Sequence, residues 1–245
     1  MLYNKFKMTL DELISQVYET LEINADDSSI EDRFVESLIV QQRALWLRNE
    51  YNKNRTIDQN VVQELGCVEM IEVDRSECCE APLGCKILRT KNPVPNTIEF
   101  HHDNAIVRVG PIDIIQPSYK EILYPKEVQF YGNGRTNSKN IAWFLKKTKE
   151  GLHIYLLMKN PSINYKLIEQ INVQGIFEDP REAENYHNCN GSVCWSPSQE
   201  YPINAWMWNY ILPEVLKVVQ SKIQMPKDLD SDNKDNIRQQ DAKTR

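Results

Sequence analysis

The spacing of the apolar residues changes twice along this chain, and each change limits the fold. Up to about residue 51, apolar side chains recur every three or four positions, as on one face of an α-helix. From about Val68 to Ile176, short extended runs alternate with turns marked by Gly, Pro and Asn. Helical spacing returns from Ala205 to Gln224. This order predicts an α+β fold in which an N-terminal helical hairpin and a C-terminal helix pack together beside a central antiparallel β-rich domain.

The same changes divide the chain into four stretches. We expect N-terminal helices over residues 1–65, the β-rich domain over 66–200, the C-terminal helix over 201–225 and an extended polar tail over 226–245. The tail contains no aromatic residue and is dominated by Asp, Asn, Lys, Gln and Arg. Such a segment buries too little apolar surface to fold alone, so we expect it to act as an arm.

Two helices are predicted in the N-terminal stretch from their first residues. Thr9 with Glu12, and Ser28 with Glu31, each fit a capping box, in which the two side chains satisfy orphan backbone N–H groups. The second helix carries two apolar rows: Ile30, Phe34, Leu38 and Leu45, and Val35, Ile39 and Trp46. Gln41 and Gln42 interrupt both rows. They are either boundary residues beside the core or a polar seam between identical subunits.

Seven short runs are predicted to be strands of an antiparallel sheet or small sandwich. They are Val68–Val73, Lys86–Thr90, Thr97–Phe100, Ala105–Val109, Glu127–Tyr131, Ile141–Leu145 and Leu152–Met158. The segment Asn164–Asn172 fits either a strand or a helical turn, and the strand is favoured because Val173–Phe177 continues it. Tyr119–Pro125 fits a short helix or a loop.

Three of the tryptophans lie in the C-terminal part of the chain. Trp195 lies in a polar stretch, Cys189–Pro197, which we expect to be an exposed loop. In the helix from Ala205, Trp206 and Trp208 are two residues apart and cannot face the same way, so one of them is expected to project outwards. Pro213 either kinks this helix or starts a second one.

Composition excludes several classes of protein. The 245-residue chain is long enough for a substantial core, with 41% hydrophobic residues. Its net charge of −6 argues against wrapping DNA, because nonspecific affinity comes largely from Lys and Arg that neutralise phosphates. No apolar run approaches the roughly 20 residues of a membrane helix, and the first residues lack the apolar core of a signal peptide. We therefore expect no membrane partner and a protein made in a cytoplasm.

The six cysteines allow three states. Without an export signal, free thiols are favoured over disulfides. Structural zinc is an alternative, because Cys78, Cys79 and Cys85 cluster and Cys189 with Cys194 could complete a site. The spacing is not the paired C-x2-C of most zinc modules, so no metal or other cofactor is predicted.

The search for catalytic motifs returns little. The chain contains no G-x-S-x-G, no H-E-x-x-H and no P-loop. Gly132-Asn133-Gly134 is typical of a hairpin loop rather than a phosphate site. Its four histidines stand beside no obvious nucleophile in the sequence. We therefore predict no enzymatic activity and no catalytic residue.

Several segments resemble virion proteins of tailed phages, especially crAss-like phages of gut Bacteroidetes, and the closest resemblance is to neck ring or head-completion adaptors. These segments are Gln42–Trp46, Tyr51–Lys53, Leu65–Val68, Val73-Asp74, Cys78-Cys79, Cys85–Arg89, Ile176–Pro180 and Tyr201–Ile203. The resemblance covers roughly residues 30–220. Its motifs are structural and carry no catalytic anchor.

The resemblance implies a structural function in the virion. Such adaptors form rings, commonly twelvefold, that join the portal of the capsid to neighbouring neck or tail ring proteins and line the channel through which genomic DNA passes. The protein would reside in the virion neck, and in the host cytoplasm during assembly. An acidic protein lining this channel would repel the phosphate backbone, which would ease genome passage.

Interface residues follow from this interpretation. Arg43, Trp46 and Arg48 are expected to make contacts from the second helix, and Trp195 and Trp206 to act as anchors, because aromatic and arginine side chains dominate interface energetics. Lys227, Arg238 and Arg245 lie in the tail, which would clasp a partner. The alternative is a small metal- or ligand-binding protein or enzyme, with Cys78, Cys79, Cys85, Cys189 and His187 as candidates.

Overall fold

A computed structural model shows three α-helices and seven strands in the residues that it describes. These residues are 8–21, 30–53, 56–74, 86–101, 105–123, 127, 141–158 and 167–224. The helices are α1 (Leu10–Leu21), α2 (Asp32–Tyr51) and α3 (Ala205–Gln224). The strands are β1 (Gln63–Glu72), β2 (Lys86–Thr90), β3 (Ile106–Gly110), β4 (Lys120–Glu121), β5 (Ala142–Lys147), β6 (Leu152–Met158) and β7 (Gln170–Gly175). The α+β prediction is confirmed.

Helix α1 begins as the sequence predicts. The backbone N–H of Thr9 donates to Glu12 Oε2 at 2.9 Å, and the N–H of Glu12 donates to Thr9 Oγ1 at 3.3 Å. This reciprocal pair satisfies two N–H groups that have no partner within the helix. Leu13 and Val17 then face the core with no exposed surface. The cap and the apolar face thus fix where α1 starts and how it docks.

Helix α2 begins later than predicted. Its N-cap is Glu31, in an extended conformation and without a side-chain cap hydrogen bond. A glutamate at the N-cap cannot serve as the third helical residue of a capping box, so the predicted pair of Ser28 and Glu31 is wrong; Ser28 itself lies outside the described residues. Val35, Ile39 and Leu47 are fully buried.

The strands form one curled sheet with the order β3-β7-β1-β2-β6-β5-β4. All its pairs are antiparallel except β4 with β5, which is parallel and short. After β3 the chain crosses to the far edge of the sheet, where Lys120 pairs with Ala142. On the way, Tyr119 N–H donates to the Val109 carbonyl of β3 at 2.8 Å. The two edges of the sheet are therefore brought close to each other.

Some predicted strands differ from the structure. Thr97–Phe100 is not a strand, since Thr97 makes only an isolated bridge with Phe177. Tyr119–Pro125 contains the two-residue β4, which was not expected. Of the favoured strand Asn164–Asn172, only Gln170–Asn172 is strand, as the start of β7; residues 167–169 are not strand, and residues 164–166 lie outside the described residues. Most of Glu127–Tyr131 and all of Gly132–Gly134 lie outside the described residues.

The helices and one face of the sheet share a single hydrophobic core. Leu13 of α1, Ile39 of α2, Val215 of α3 and Val173 of β7 all belong to it. A smaller cluster covers the opposite face of β2, β5 and β6, where the rings of Phe144 and Tyr155 stack with centroids 5.3 Å apart. The expected boundary after residue 65 falls inside β1.

Candidate interaction surface

Three aromatic side chains meet where α2 packs against α3, and we call them the aromatic cluster: Trp46, Trp206 and Tyr210. The ring centroids of Trp46 and Trp206 lie 5.1 Å apart, and those of Trp46 and Tyr210 lie 6.1 Å apart. Trp206 is 44% exposed and Tyr210 is 61% exposed. The cluster is therefore a preassembled apolar surface that is open to solvent. Tyr210 was missed from the sequence, although its spacing of four from Trp206 places it on the same helix face.

The neighbouring Trp208 faces the opposite way, as the spacing of the two tryptophans predicts. Trp208 is buried, and its Nε1–H donates to Gln16 Oε1 of α1 at 2.7 Å. Helix α3 runs unbroken through Pro213, so no second helix starts there. One side of α3 thus anchors the helix to the core while the other presents Trp206 and Tyr210.

Arg43 lies inside the protein and not on a contact surface as expected. Its side chain has no exposed surface, its Nε–H donates to the Pro202 carbonyl at 2.9 Å, and its Nη1–H donates to the Phe177 carbonyl at 2.9 Å. Burial lowers the pKa of the guanidinium below its usual value, and the phenol of Tyr201 and the carboxylate of Asp179 oppose that change. The α2 register that points Val35 and Ile39 inward also carries Arg43 inward.

Leu45 and Arg48 lie at the surface, unlike Arg43. Leu45, predicted to continue an apolar core row, is 52% exposed. The row leaves the core at this turn of α2, where Arg43 and Leu47 are buried instead. Arg48 is exposed, as a contact residue must be.

Trp195 is buried, whereas residues 189–192 just before it are exposed, so the predicted loop is exposed but Trp195 does not project from it. Its indole packs edge-to-face on Tyr201, with centroids 6.4 Å apart, and its Nε1–H donates to the Glu200 carbonyl at 3.4 Å. A bridge between His187 and Val193 folds the segment back on itself. The polar residues around Trp195 cover it, and its role is to close the core. Lys227, Arg238 and Arg245 lie outside the described residues.

Cys67 and Cys189 form a disulfide, with Cα atoms 5.2 Å apart, so the prediction of free thiols is wrong for this pair. The bond ties β1 to the segment before Trp195. Cys194 is free, and burial raises the pKa of its thiol. Cys78, Cys79 and Cys85 lie outside the described residues. Within the described ranges, no three His, Cys, Asp or Glu side chains are placed to hold one metal ion.

A partly buried ion network joins α2 to the segment after β7. Arg181 donates to Asp179 through Nη2 at 2.7 Å and to Glu36 through Nη1 at 2.9 Å. Burial alone would raise the pKa of Asp179, but hydrogen bonds from Arg181 and the charges of Arg181 and Arg43 outweigh it and hold that pKa below its usual value. No sequence pattern indicated this network.

An open cavity of about 950 Å³ lies beside this network, and we call it the α2 groove. Its apolar floor consists of Val40, Ala44, Leu45, Ile98, Leu145 and Leu152. Its rim is charged and includes Arg48, Asp179 and Arg181. The groove therefore combines an apolar floor with a polar rim, which is the composition of many protein–protein contacts. In the described part of the chain, no helix is both long and apolar enough to cross a membrane.

The comparisons with known proteins agree with a structural function. The sequence model of the family "Phage tail ring protein 2" matches residues 12–241, nearly the whole chain. The chain is also 29% identical to "Ring protein 2" of Bacteroides phage crAss001 over 236 residues, which is 94% of this chain and 98% of that protein. A match of this extent covers the helices, the sheet and the aromatic cluster together. The chain therefore belongs to the tail ring protein 2 family and is a structural ring protein of a crAss-like phage virion.

Proposed function

We propose that this protein forms a closed homo-oligomeric ring, a dodecamer, in the neck of the virion between the portal and the tail. The observation that carries this proposal is the aromatic cluster. Large exposed aromatic groups that are already packed against one another lose little conformational freedom on binding, and such residues dominate interface energetics. Family membership supports a ring, and the cluster supplies a surface through which its helical part can meet the portal.

We assign no catalytic activity to the chain, because its family is structural. The tail after Met225 acts in this proposal as an arm that grips a neighbouring neck or tail ring protein. Its Lys and Arg residues, including Lys227, Arg238 and Arg245, provide charged groups for that grip. The protein is assembled in the host cytoplasm and remains in the mature virion.

The ring surrounds the DNA channel without binding DNA specifically. The net charge of −6 supports this part of the proposal, because an acidic lining repels phosphates and so limits friction as the genome passes. Reversing several acidic residues of the lumen to lysine should trap DNA or slow its ejection. Unchanged ejection kinetics in particles that carry these variants would contradict it.

The deciding experiment is the mass of the assembly. The purified protein is measured by mass photometry alone and with its cognate portal, and large species are imaged by electron microscopy. A ring, or monomers bound to the portal in a fixed ratio, is the expected result. Alanine at Trp206 should reduce portal binding, and alanine at Leu167, which is 78% exposed and lies outside the aromatic cluster, serves as the matched control. A protein that stays monomeric and ignores the portal contradicts the proposal.

A further inference from the structure

The turn between β3 and β4 exposes three isoleucines in sequence proximity, and we call residues 111–119 the isoleucine loop. Ile112 is 43% exposed, Ile114 is 59% exposed and Ile115 is 94% exposed. Soluble proteins rarely present a contiguous group of large aliphatic side chains to water unless the group contacts a partner. The exposure of these residues therefore requires an explanation beyond folding.

The isoleucine loop is held in one shape by hydrogen bonds. Asp113 Oδ1 accepts the N–H of Ile115 at 3.0 Å, and the Asp113 carbonyl accepts the N–H of Gln116 at 3.1 Å. Arg108 of β3 donates to the Gln116 carbonyl at 3.2 Å and to Asn172 Oδ1 of β7 at 3.1 Å. The loop is thus fixed to the sheet at its base and presents its isoleucines in a preformed protrusion, which lowers the entropic cost of binding.

The α2 groove offers a concave surface of matching character. Its floor is aliphatic, and Leu45 lies in it with half of its surface exposed. The groove and the isoleucine loop lie at opposite ends of β3. At one end, Ile106 pairs with Gly175, which shortly precedes the groove residues Glu178 and Asp179. At the other end, Gly110 leads into the isoleucine loop. Strand β3 spans about 14 Å, so the loop does not reach the groove of its own chain.

We propose that the isoleucine loop of one copy docks in the α2 groove of the next copy, and that this contact closes the ring. The inference rests on the proposed ring. A rotational ring of more than two copies needs a heterologous contact between two different surfaces of the same chain, whereas a loop that paired with itself would give only a twofold dimer. Another copy of this chain carries both the aliphatic protrusion and the aliphatic groove, so one contact repeated around the ring axis occupies both surfaces.

The test uses one variant of each surface and one control in the full chain. Ile114→Ser with Ile115→Ser alters the loop, and Leu45→Glu alters the groove. Ile223→Ser, at a residue 45% exposed near the end of α3, is the matched control. Assembly is followed by mass photometry, alone and with the portal, after circular dichroism has verified folding. Each surface variant should raise the concentration needed for half-assembly at least tenfold, and the control should change it less than twofold.

Mixing the two surface variants sharpens the test. The groove variant keeps an intact loop, which can dock in the intact groove of the loop variant. No third copy can be added, because the loop and the groove that remain free in this pair are both altered. At a concentration at which each variant alone is monomeric, the mixture should give a dimer of twice the 28.7 kDa chain mass. Absence of this dimer, or rings re-formed on mixing, overturns the inference.

The remaining outcomes separate the inference from the proposed ring. A wild-type ring that neither surface variant weakens overturns the docking contact alone. If the loop variant forms rings normally but no longer attaches to the portal or to another virion protein, the loop contacts that partner. This result also overturns the docking contact. A wild-type chain that is monomeric with and without the portal overturns both proposals.

Discussion

The guanidinium carbon of Arg43 lies 5.8 Å from the ring centroid of Tyr201, a cation–π contact in the interior of the protein. Arg43 comes from α2, and Tyr201 from the segment that leads into α3. Burial raises the pKa of Tyr201 to about 12, although the Arg43 charge opposes this, so the phenol is neutral at physiological pH. This pair joins the helical part of the fold to the end of the sheet.

Replacing Arg43 should destabilise the monomer strongly. Arg43→Met removes both donors to the Pro202 and Phe177 carbonyls and leaves two buried acceptors unpaired, at about 1–3 kcal/mol each. The free energy of unfolding, measured by urea titration, should fall accordingly. Arg48→Met, on the exposed face, should change it by less than about 0.5 kcal/mol. Equal effects of the two variants would show that Arg43 is not a structural residue.

The two tryptophans of α3 should separate assembly from folding. Trp208→Ala removes a buried ring and should cost about 3–5 kcal/mol of stability. Trp206→Ala should cost far less stability and weaken portal binding by about 2 kcal/mol, as for a residue that anchors an interface. Thermal melts and mass photometry with the portal together measure the two effects. A Trp206→Ala variant that binds the portal normally would exclude the aromatic cluster from that interface.

The Asp179 carboxylate should stabilise the fold only when it is ionised. The pKa of Asp179 in the folded protein is lower than that of an unfolded aspartate. The unfolded value is about 3.9. The contribution is therefore complete above the unfolded value and is lost as the pH falls through the folded value. Asp179→Asn should lower the free energy of unfolding at pH 7 by about 1–3 kcal/mol, and the difference from wild type should shrink below about pH 4.

The matched control for this pH series is Glu184→Gln, at an exposed acid in the same segment. Its unfolding curve should stay parallel to that of the wild type across the pH range. If the free energies of unfolding of wild type and Asp179→Asn differ by the same amount down to the lowest pH, the charge of Asp179 contributes nothing to stability.

The Cys67–Cys189 bond should be found by peptide mapping of the oxidised protein. It closes a segment with a sequence separation of 122 residues, and its loss should lower the free energy of unfolding by about 3 kcal/mol. Cys67→Ser and reduced wild type should be equally destabilised. If reductant leaves the urea midpoint of the wild type unchanged, the bond does not stabilise this protein.

Removal of the tail after Met225 should leave the fold intact. The core formed by the three helices and the sheet lies within residues 8–224, so circular dichroism and the urea midpoint should match those of the full chain. Binding to the portal or to the neighbouring ring should weaken. A truncated protein that unfolds would place the tail in the core and refute the arm.

Local signals in the sequence predicted the ends of some elements well. The capping box at Thr9 and Glu12 is a contact between neighbours in the chain, and the structure contains it. Helix α3 has the predicted bounds, because its apolar spacing runs on through Pro213 and the polar tail follows. The spacing of Trp206 and Trp208 predicted that one of them projects outwards, but not which one.

Contacts between distant residues could not be read in this way. Whether Arg43 faces solvent or the core depends on carbonyls 134 and 159 positions away. The disulfide and the burial of Trp195 likewise depend on a segment that folds back over β1. The aliphatic floor of the α2 groove comes from α2, β5, β6 and the segment at Ile98, so no single stretch of sequence carries it.

The near-closure of the sheet by the Tyr119–Val109 hydrogen bond limits how copies of this protein can associate. An open sheet edge invites strand addition by any other chain, which leads to amyloid-like aggregates at the high concentrations of a phage-producing cell. Here the N–H of Tyr119, just before β4, is bonded to the Val109 carbonyl near the end of β3. At this point the backbone is not open to a strand from another copy, and association there has to use side chains, which unlike backbone edges distinguish the correct neighbour from the wrong one.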